Sequence, residues 1–253
     1  MMLKLYRTNS LVHWTQREID ACERMTRFFS DEVTAFLKGQ NRAWEVERVE
    51  APVMMPRSMV NPNYGDDDLW TFTRTDEGDE ELVARPETTA GTYAYMVHRL
   101  GSQQGVRLPW AVWQTGYSFR RERDQVLSHM RLKCFRQMEF QCAFSVDTRN
   151  DYQAMCLEPV RRMIGGMVGV ETRVVESDRL PSYSRRTVDV EARVGPDHWM
   201  ELCSISLRTD FPALFTYQDR RGREVESQVL VLEIAIGMDR CVHAWTQGQA
   251  RQD

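Results

Sequence analysis

Apolar residues recur at helical spacing near the start of the chain. Ile19, Cys22, Met25, Phe28 or Phe29, Val33 and Phe36 stand among charged residues from about Val12 to Leu37, which predicts a long amphipathic helix with its stop near Gly39. The period then drops to two. Trp44 to Pro56 alternates through Val46 and Val49 and is closed by Pro52 and Pro56, as a strand meeting a proline turn does. LWTFTRT and ELVAR read as two strands around the acidic turn DEGDE, a solvated loop, and an apolar-rich helical stretch follows through Leu100. Phe119 to Phe144 reads as two long antiparallel strands and their charged loop. Asp151 to Met167 reads as a helix with Met155, Val160, Met163 and Ile164 inward, ending at Gly165 and Gly166 or shortly after. Thr172 to Val194 alternates as two strands around a turn at Asp178 to Ser184, His198 to Phe211 continues as another, and Val229 to Trp245 is an apolar strand that breaks at Gly237 and opens a helix. The expectation is one α/β (α+β) domain, a mainly antiparallel sheet of about six to eight strands flanked by helices.

Composition narrows the function classes. Hydrophobic content of 42% and charged content of 28% in 253 residues suit a globular domain with an ample core. No apolar run approaches the length of a membrane span or a signal peptide, so the expected location is cytoplasmic with no membrane partner. A net charge of −4 does not announce a nucleic-acid binder; an RNA contact needs a local patch such as Arg120, Arg121 and Arg123, or Arg220, Arg221 and Arg223. The six cysteines are scattered, with no C-x-x-C pair and no histidine at zinc spacing, and read as reduced core residues. No repeat, low-complexity tract or interdomain linker divides the chain.

Chemistry concentrates on the Phe119–Phe144 ribbon, where Arg120, Glu122, Arg131, Phe135 and Glu139 bring two cations, a ring and two carboxylates together. Guanidinium forks match phosphate oxygens bidentately, and a ring beside them gives a base a stacking surface. The same residues would equally make a salt-laced hairpin with a solvated face.

Phe-Arg-x-Glu at Phe119 to Glu122, followed by Arg-x-x-x-Phe at Arg131 to Phe135, resembles the second signature motif of class II aminoacyl-tRNA synthetases. The closer resemblance is to glycyl-tRNA synthetases. Phe135 and Glu139 continue their ribbon, Arg85 to Thr88 match their Arg-Pro-Glu-Thr segment, and Glu201, Ile205, Arg208, Thr209 and Asp210 match a later strand. The helix, strand and proline through residues 44–56 resemble the first class II motif, 111–145 contain the second, and 229–250, with Gly237, Asp239 and Arg240, resemble the third. The resemblance implies a single catalytic domain over 1–253, with 1–43 its N-terminal helical region and no anticodon-binding domain after it. It also implies a homodimer joined through the N-terminal helix and first-motif strand.

By this resemblance the chain would use ATP and Mg2+ to activate a small amino acid, most readily glycine, and pass it to the tRNA acceptor end, with a separate partner as one route to tRNA recognition. The carboxylate would attack the α-phosphorus and expel pyrophosphate, so catalysis would come from positioning and electrostatics, with no side-chain nucleophile. Arg120 would clamp the α-phosphate and the amino-acid carboxylate, and Arg131 and Arg240 the terminal phosphates. Phe135 would stack on adenine with Arg240 on its far side, Glu122 would accept from the adenine amino group, and Glu201 would hold magnesium, with Ser204 as second ligand. Glu87, Glu139 and Glu233 would surround the ammonium, accompanied by Arg208. The departures bear on substrate choice: Ile234 and Ala235 stand where the family has Pro-Ser, Ala90 where glutamine is usual, Ser204 for a glycine and Leu207 for a polar residue. Alanine, serine or another small amine stays open on these residues. Two other readings are an adenylate delivered to a different acceptor, such as a carrier-protein thiol, and a non-catalytic paralogue that binds RNA or serves as a dimeric accessory subunit.

Overall fold

A computed structural model describes residues 10–72, 81–101, 106–122, 130–178, 180–218 and 224–250. The expected DEGDE turn, Arg123 and the Arg220, Arg221 and Arg223 patch lie outside them. In chain order the elements are α1 (Gln16–Gln40), β1 (Glu45–Arg48), β2 (Met54–Pro56), β3 (Trp70–Thr71), β4 (Leu82–Ala84), α2 (Thr89–Gly101), β5 (Trp110–Phe119) and β6 (Cys134–Ser145). They continue with α3 (Tyr152–Val168), β7 (Thr172–Glu176), β8 (Ser184–Arg193), β9 (Trp199–Arg208), β10 (Phe215–Gln218), β11 (Glu224–Ser227), β12 (Val229–Gly237) and α4 (Met238–Gln249).

The main sheet has seven strands in the order β1-β5-β6-β12-β9-β8-β7. Every neighbouring pair is antiparallel except β1 with β5, so the sheet is mixed and mostly antiparallel, as its pattern predicted. Side chains alternate across it. One face carries Met138, Phe140, Cys142, Leu232, Ile234, Ile236, Cys203 and Ile205 into the main core, where they meet the buried residues of α1, α3 and α4. Those positions are all apolar because both sides of this layer are closed to water. The opposite face is polar at its centre and lies beneath the segment that leads into α2. A separate sheet, β2-β4-β3, packs Met55 and Val83 over its own small core. Among the described residues no helix is long and apolar enough to cross a membrane.

Several expectations need correction. The first helix begins at Gln16, not near Val12, because the Thr15 N–H donates to Glu18 at 2.9 Å and closes a capping box there. The expected strand through 44–56 is two strands in different sheets: β1 lies on the edge of the large sheet, and the chain crosses over before β2 joins the small one. Phe119 ends β5, so Arg120 and Glu122 stand in the connection after it and Arg131 in the connection before β6. Strand alternation therefore does not place these three. Met155 is 38% exposed although its spacing pointed inward; Gln153, on the buried side of α3, instead donates to the Ile205 carbonyl at 2.9 Å. Gly237 has φ −77, a conformation open to any residue, so the turn into α4 does not depend on its being glycine. All six cysteines are free, five of them buried.

Candidate active site

Register assembles the centre of the polar face. Gln137, Glu139 and Gln141 alternate along β6 and so share one side. Glu139 lies between Gln114 of β5 and Ala235 of β12, while Glu233 lies between Gln141 of β6 and Ser206 of β9. Arg208, two residues beyond Ser206, stands on the same side. Two carboxylates and a guanidinium thus come together from three strands.

The Arg85–Thr89 segment crosses above them and is held by buried polar contacts. Arg85, 2% exposed, donates to the carbonyls of Tyr117 and Ala51 at 2.7 Å each and to Gln114 Oε1 at 3.2 Å. The Gln114 amide in turn donates to the Thr88 carbonyl at 3.0 Å. This requires close approach at Gly116, where an added Cβ would stand 2.1 Å from Arg85 Nη2. The result is that Glu87, Thr88 and Thr89 are buried directly over β6 and β12.

Each carboxylate has a different set of partners. Glu139 Oε2 accepts from the Thr88 hydroxyl and, at 2.9 Å, from Thr89, and its Oε1 accepts from Gln137 at 3.0 Å. Glu233 Oε2 accepts from Arg208 at 2.7 Å and Gln141 at 2.8 Å, with the Thr89 hydroxyl at 3.0 Å. Glu87 Oε2 accepts from the Tyr64 hydroxyl at 2.9 Å, whereas its buried Oε1 has no partner among the described residues. Arg208 also grips Asp210 through two hydrogen bonds, at 3.0 and 2.7 Å, and lies 3.9 Å from the Tyr183 ring centroid. Burial, with the charges of Glu233 and Glu87 added, raises the Glu139 carboxyl to about 7. Burial also raises Glu87, against the opposing pull of Arg208. Arg208 stays cationic: its carboxylate neighbours outweigh its burial.

Beside this acidic patch, Arg120 is stacked between two rings, its guanidinium carbon 5.2 Å from the Tyr64 centroid and 5.1 Å from that of Phe135. Its Nε donates to the Pro86 carbonyl at 2.9 Å. Of the expected site residues, the structure therefore gathers Glu87, Glu139, Glu233 and Arg208 in one patch, with Arg120 and Phe135 alongside. Arg240 is held elsewhere, at Glu201, by a 3.0 Å bond to its carbonyl and a 3.4 Å ion pair. Arg131 and Glu122 form a pair at 3.9 Å. Ser204 hydrogen-bonds to Asp189 on the adjoining strand, whose carboxyl is raised to about 6 by burial and by Glu201.

Among the described residues no three His, Cys, Asp or Glu side chains are gathered to hold a metal ion. One or two carboxylates near bound phosphates suffice for magnesium, which keeps most of its ligands from phosphate and water. Glu201 with Asp189 beside it fits that requirement. Sequence reasoning missed Tyr64, Tyr183, Asp189 and the two glutamines. The glutamines had a signal: a Gln-x-Glu-x-Gln alternation within a strand predicts a polar buried face. Tyr64 had none, because it sits in an irregular connection.

Residues 70–248 match the family model described as tRNA synthetase class II core domain (G, H, P, S and T). Among curated proteins the chain is similar to a histidine--tRNA ligase of Synechococcus elongatus, 28% identical over 221 residues, which cover 77% of this chain and 49% of that one. It is 31% identical over 186 residues to a glycine--tRNA ligase of Staphylococcus saprophyticus, covering 68% of this chain and 39% of the relative. The chain thus spans half or less of the length of these relatives. A crystal structure of prolyl-tRNA synthetase from Cryptosporidium parvum, complexed with halofuginone and AMPPNP, shares its fold, with a TM-score of 0.73 over 96% of this chain and 48% of that one at 14% identity.

Proposed function

On the premise that the chain belongs to the tRNA synthetase class II core domain family, we propose that it activates a small amino acid, glycine above others, with ATP and transfers it to the tRNA acceptor end. The observation that carries this reading is the buried patch of Glu87, Glu139 and Glu233 beside a ring-stacked Arg120. Three carboxylates repel one another in a medium of low dielectric, and a bound ammonium relieves them. The side chains that touch them are polar: Tyr64, Thr88, Thr89, Gln137, Gln141 and Arg208. A site whose carboxylates are ringed by hydrogen-bonding side chains rewards a compact ammonium over a long aliphatic substituent, which favours glycine.

The adjacent Arg120 receives the amino-acid carboxylate and the α-phosphate. Its role is to neutralise the charge that develops as a carboxylate oxygen bonds to phosphorus and pyrophosphate leaves. Phe135 supplies the stacking surface for adenine, Glu122 accepts from its amino group, and Arg131 and Arg240 hold the terminal phosphates. To do so both arginines exchange the carboxylates that hold them now. Glu201, with Ser204 second, would hold magnesium, which would supply positive charge against the phosphates. We assign residues 1–253 to one catalytic domain that works as a homodimer. The exposed apolar side chains Met54, Trp70, Phe72 and Leu82, close to the first-motif segment, support that assembly.

The test is exchange of labelled pyrophosphate into ATP, with magnesium and each of the twenty amino acids in turn. Exchange with glycine is the expected result, and Arg120→Ala should lower it by about two to three orders of magnitude. Exchange with another amino acid alone would discard the pocket assignment, and none with any, tRNA added, would refute activation. Transfer of separately labelled glycine to tRNA would then separate a tRNA acceptor from a carrier-protein thiol.

A further inference from the structure

Tyr64 lies in the connection between β2 and β3, outside the segments whose residues carry the family resemblance, yet it touches both halves of the site. Its hydroxyl donates to Glu87 Oε2 at 2.9 Å, and its ring lies under the Arg120 guanidinium at 5.2 Å. We propose that Tyr64 is a positioning residue: it orients the Glu87 carboxylate so that Oε1 receives the ammonium of the amino acid, and it holds Arg120 at a fixed offset for the carboxylate and α-phosphate. This inference rests on the amino-acid-activation reading above and assigns a division of labour within it.

Four observations carry it. Glu139 and Glu233 already accept hydrogen bonds from neighbouring side chains, whereas Glu87 Oε1 is buried without a partner among the described residues. A buried acceptor of that kind is costly unless a ligand completes it. Second, Arg120 is stacked on Tyr64 and Phe135 while its Nε is tied to Pro86, the residue before Glu87. Tyr64 therefore joins the side chains that Pro86 joins through the backbone.

Third, the tyrosine is itself anchored. Its ring packs against the small core of Met55, Val60, Leu69 and Val83, its N–H donates to the Asn61 carbonyl at 3.0 Å, and its carbonyl accepts from Arg57 at 3.5 Å. Ser182 reaches Asn63 at 3.1 Å, linking this connection to the turn that carries Tyr183 over Arg208. Fourth, burial keeps the Tyr64 phenol well above its usual titration range, so it stays a donor at working pH.

The experiment measures pyrophosphate exchange in wild type, Tyr64→Phe and Tyr64→Leu, with amino acid and ATP varied separately. The amino acid is glycine, or whichever of the twenty supports wild-type exchange. Phenylalanine keeps the ring and loses the hydroxyl. It should raise the amino-acid KM about ten- to a hundredfold, the worth of a hydrogen bond to a charged group, and leave the ATP KM within about twofold. Leucine removes the ring as well and should in addition lower kcat by about three- to thirtyfold, as Arg120 loses its stacking partner. A purely structural tyrosine would not split KM from kcat in this way. An unchanged amino-acid KM in Tyr64→Phe overturns the inference, as does an equal rise in both KM values. Wild-type protein that exchanges with none of the twenty overturns the activation reading and this inference together, so the two failures are distinct.

Discussion

Replacing Glu139 with glutamine takes one titration out of the centre of the site, and the structure fixes the sign of the resulting change in stability. The carboxyl is 2% exposed, and burial together with Glu233 and Glu87 raises its pKa from 4.5 to about 7. The folded protein therefore holds this proton more tightly than the unfolded chain. The stability it contributes is fully present below about pH 4.5 and is lost as pH rises through about 7. At about 1.4 kcal/mol per pKa unit, the wild type above pH 7 is about 3 kcal/mol less stable on account of this group than it is below 4.5. Glutamine does not titrate and nearly matches the shape. Its oxygen can keep the Thr88 and Thr89 hydroxyls, and its amide can donate to Gln137, whose buried Oε1 now has no partner among the described residues. The assay is urea unfolding of both proteins from pH 4.5 to 8. Glu139→Gln should match the wild type to within about 1 kcal/mol at the acid end and exceed it by about 3 kcal/mol at pH 8. Parallel stability curves, or a wild type that gains on the variant as pH rises, would refute the description of Glu139 as a buried carboxyl pressed by like charges.

Two further substitutions probe the supports of the site. Arg208→Met keeps an unbranched apolar stem but removes the guanidinium, leaving Glu233 and Asp210 without the cation that bonds each at 2.7 Å; it should cost about 3–5 kcal/mol at pH 7.5 by urea unfolding. Gly116→Ala drives a methyl to 2.1 Å from Arg85 Nη2, so the guanidinium must leave its carbonyl partners; the loss should be about 1–3 kcal/mol, read as a lowered melting temperature.

The elements legible in the sequence are those that periodicity can encode. The β12–α4 junction, the β7–β8 pair and the buried side of α1 could be read because each buries one face along a regular element. Trp44 to Pro56 misled because it reads as one strand on few apolar positions, Val46 and Val49, although its two halves serve different sheets; Pro52, between β1 and β2, is the one local mark of the change. Glu87, Glu139, Glu233 and Arg208 could be named from the resemblance, but not their hydrogen-bond partners. Whether a buried carboxylate is satisfied depends on side chains such as Thr89 and Glu233, 144 positions apart in the chain. Tyr64 was invisible for a further reason: an irregular connection has no period, and its tertiary contacts alone bring it to Arg120.

The placement of these charges explains why the two faces of the sheet differ so sharply. Burying three carboxylates near Arg120 and Arg208, the latter itself shared with Asp210, opposes folding, since each desolvated anion raises the energy of the others. The opposing contribution lies directly beneath, where Phe140, Leu232, Ile234 and Ile236 alternate with the site residues and are wholly buried under three helices. A strand that carries Glu139 or Glu233 upward must carry those neighbours downward, so the core that offsets the acidic patch is built by the residues adjacent to it. A cation brought to the patch relieves a repulsion that the fold has already overcome. Part of its binding free energy would come from that relief, and the ligand would stabilise the domain as its concentration exceeds Kd. Under the proposed function this relief would favour a compact primary amine, whose charge can lie close to several carboxylates at once.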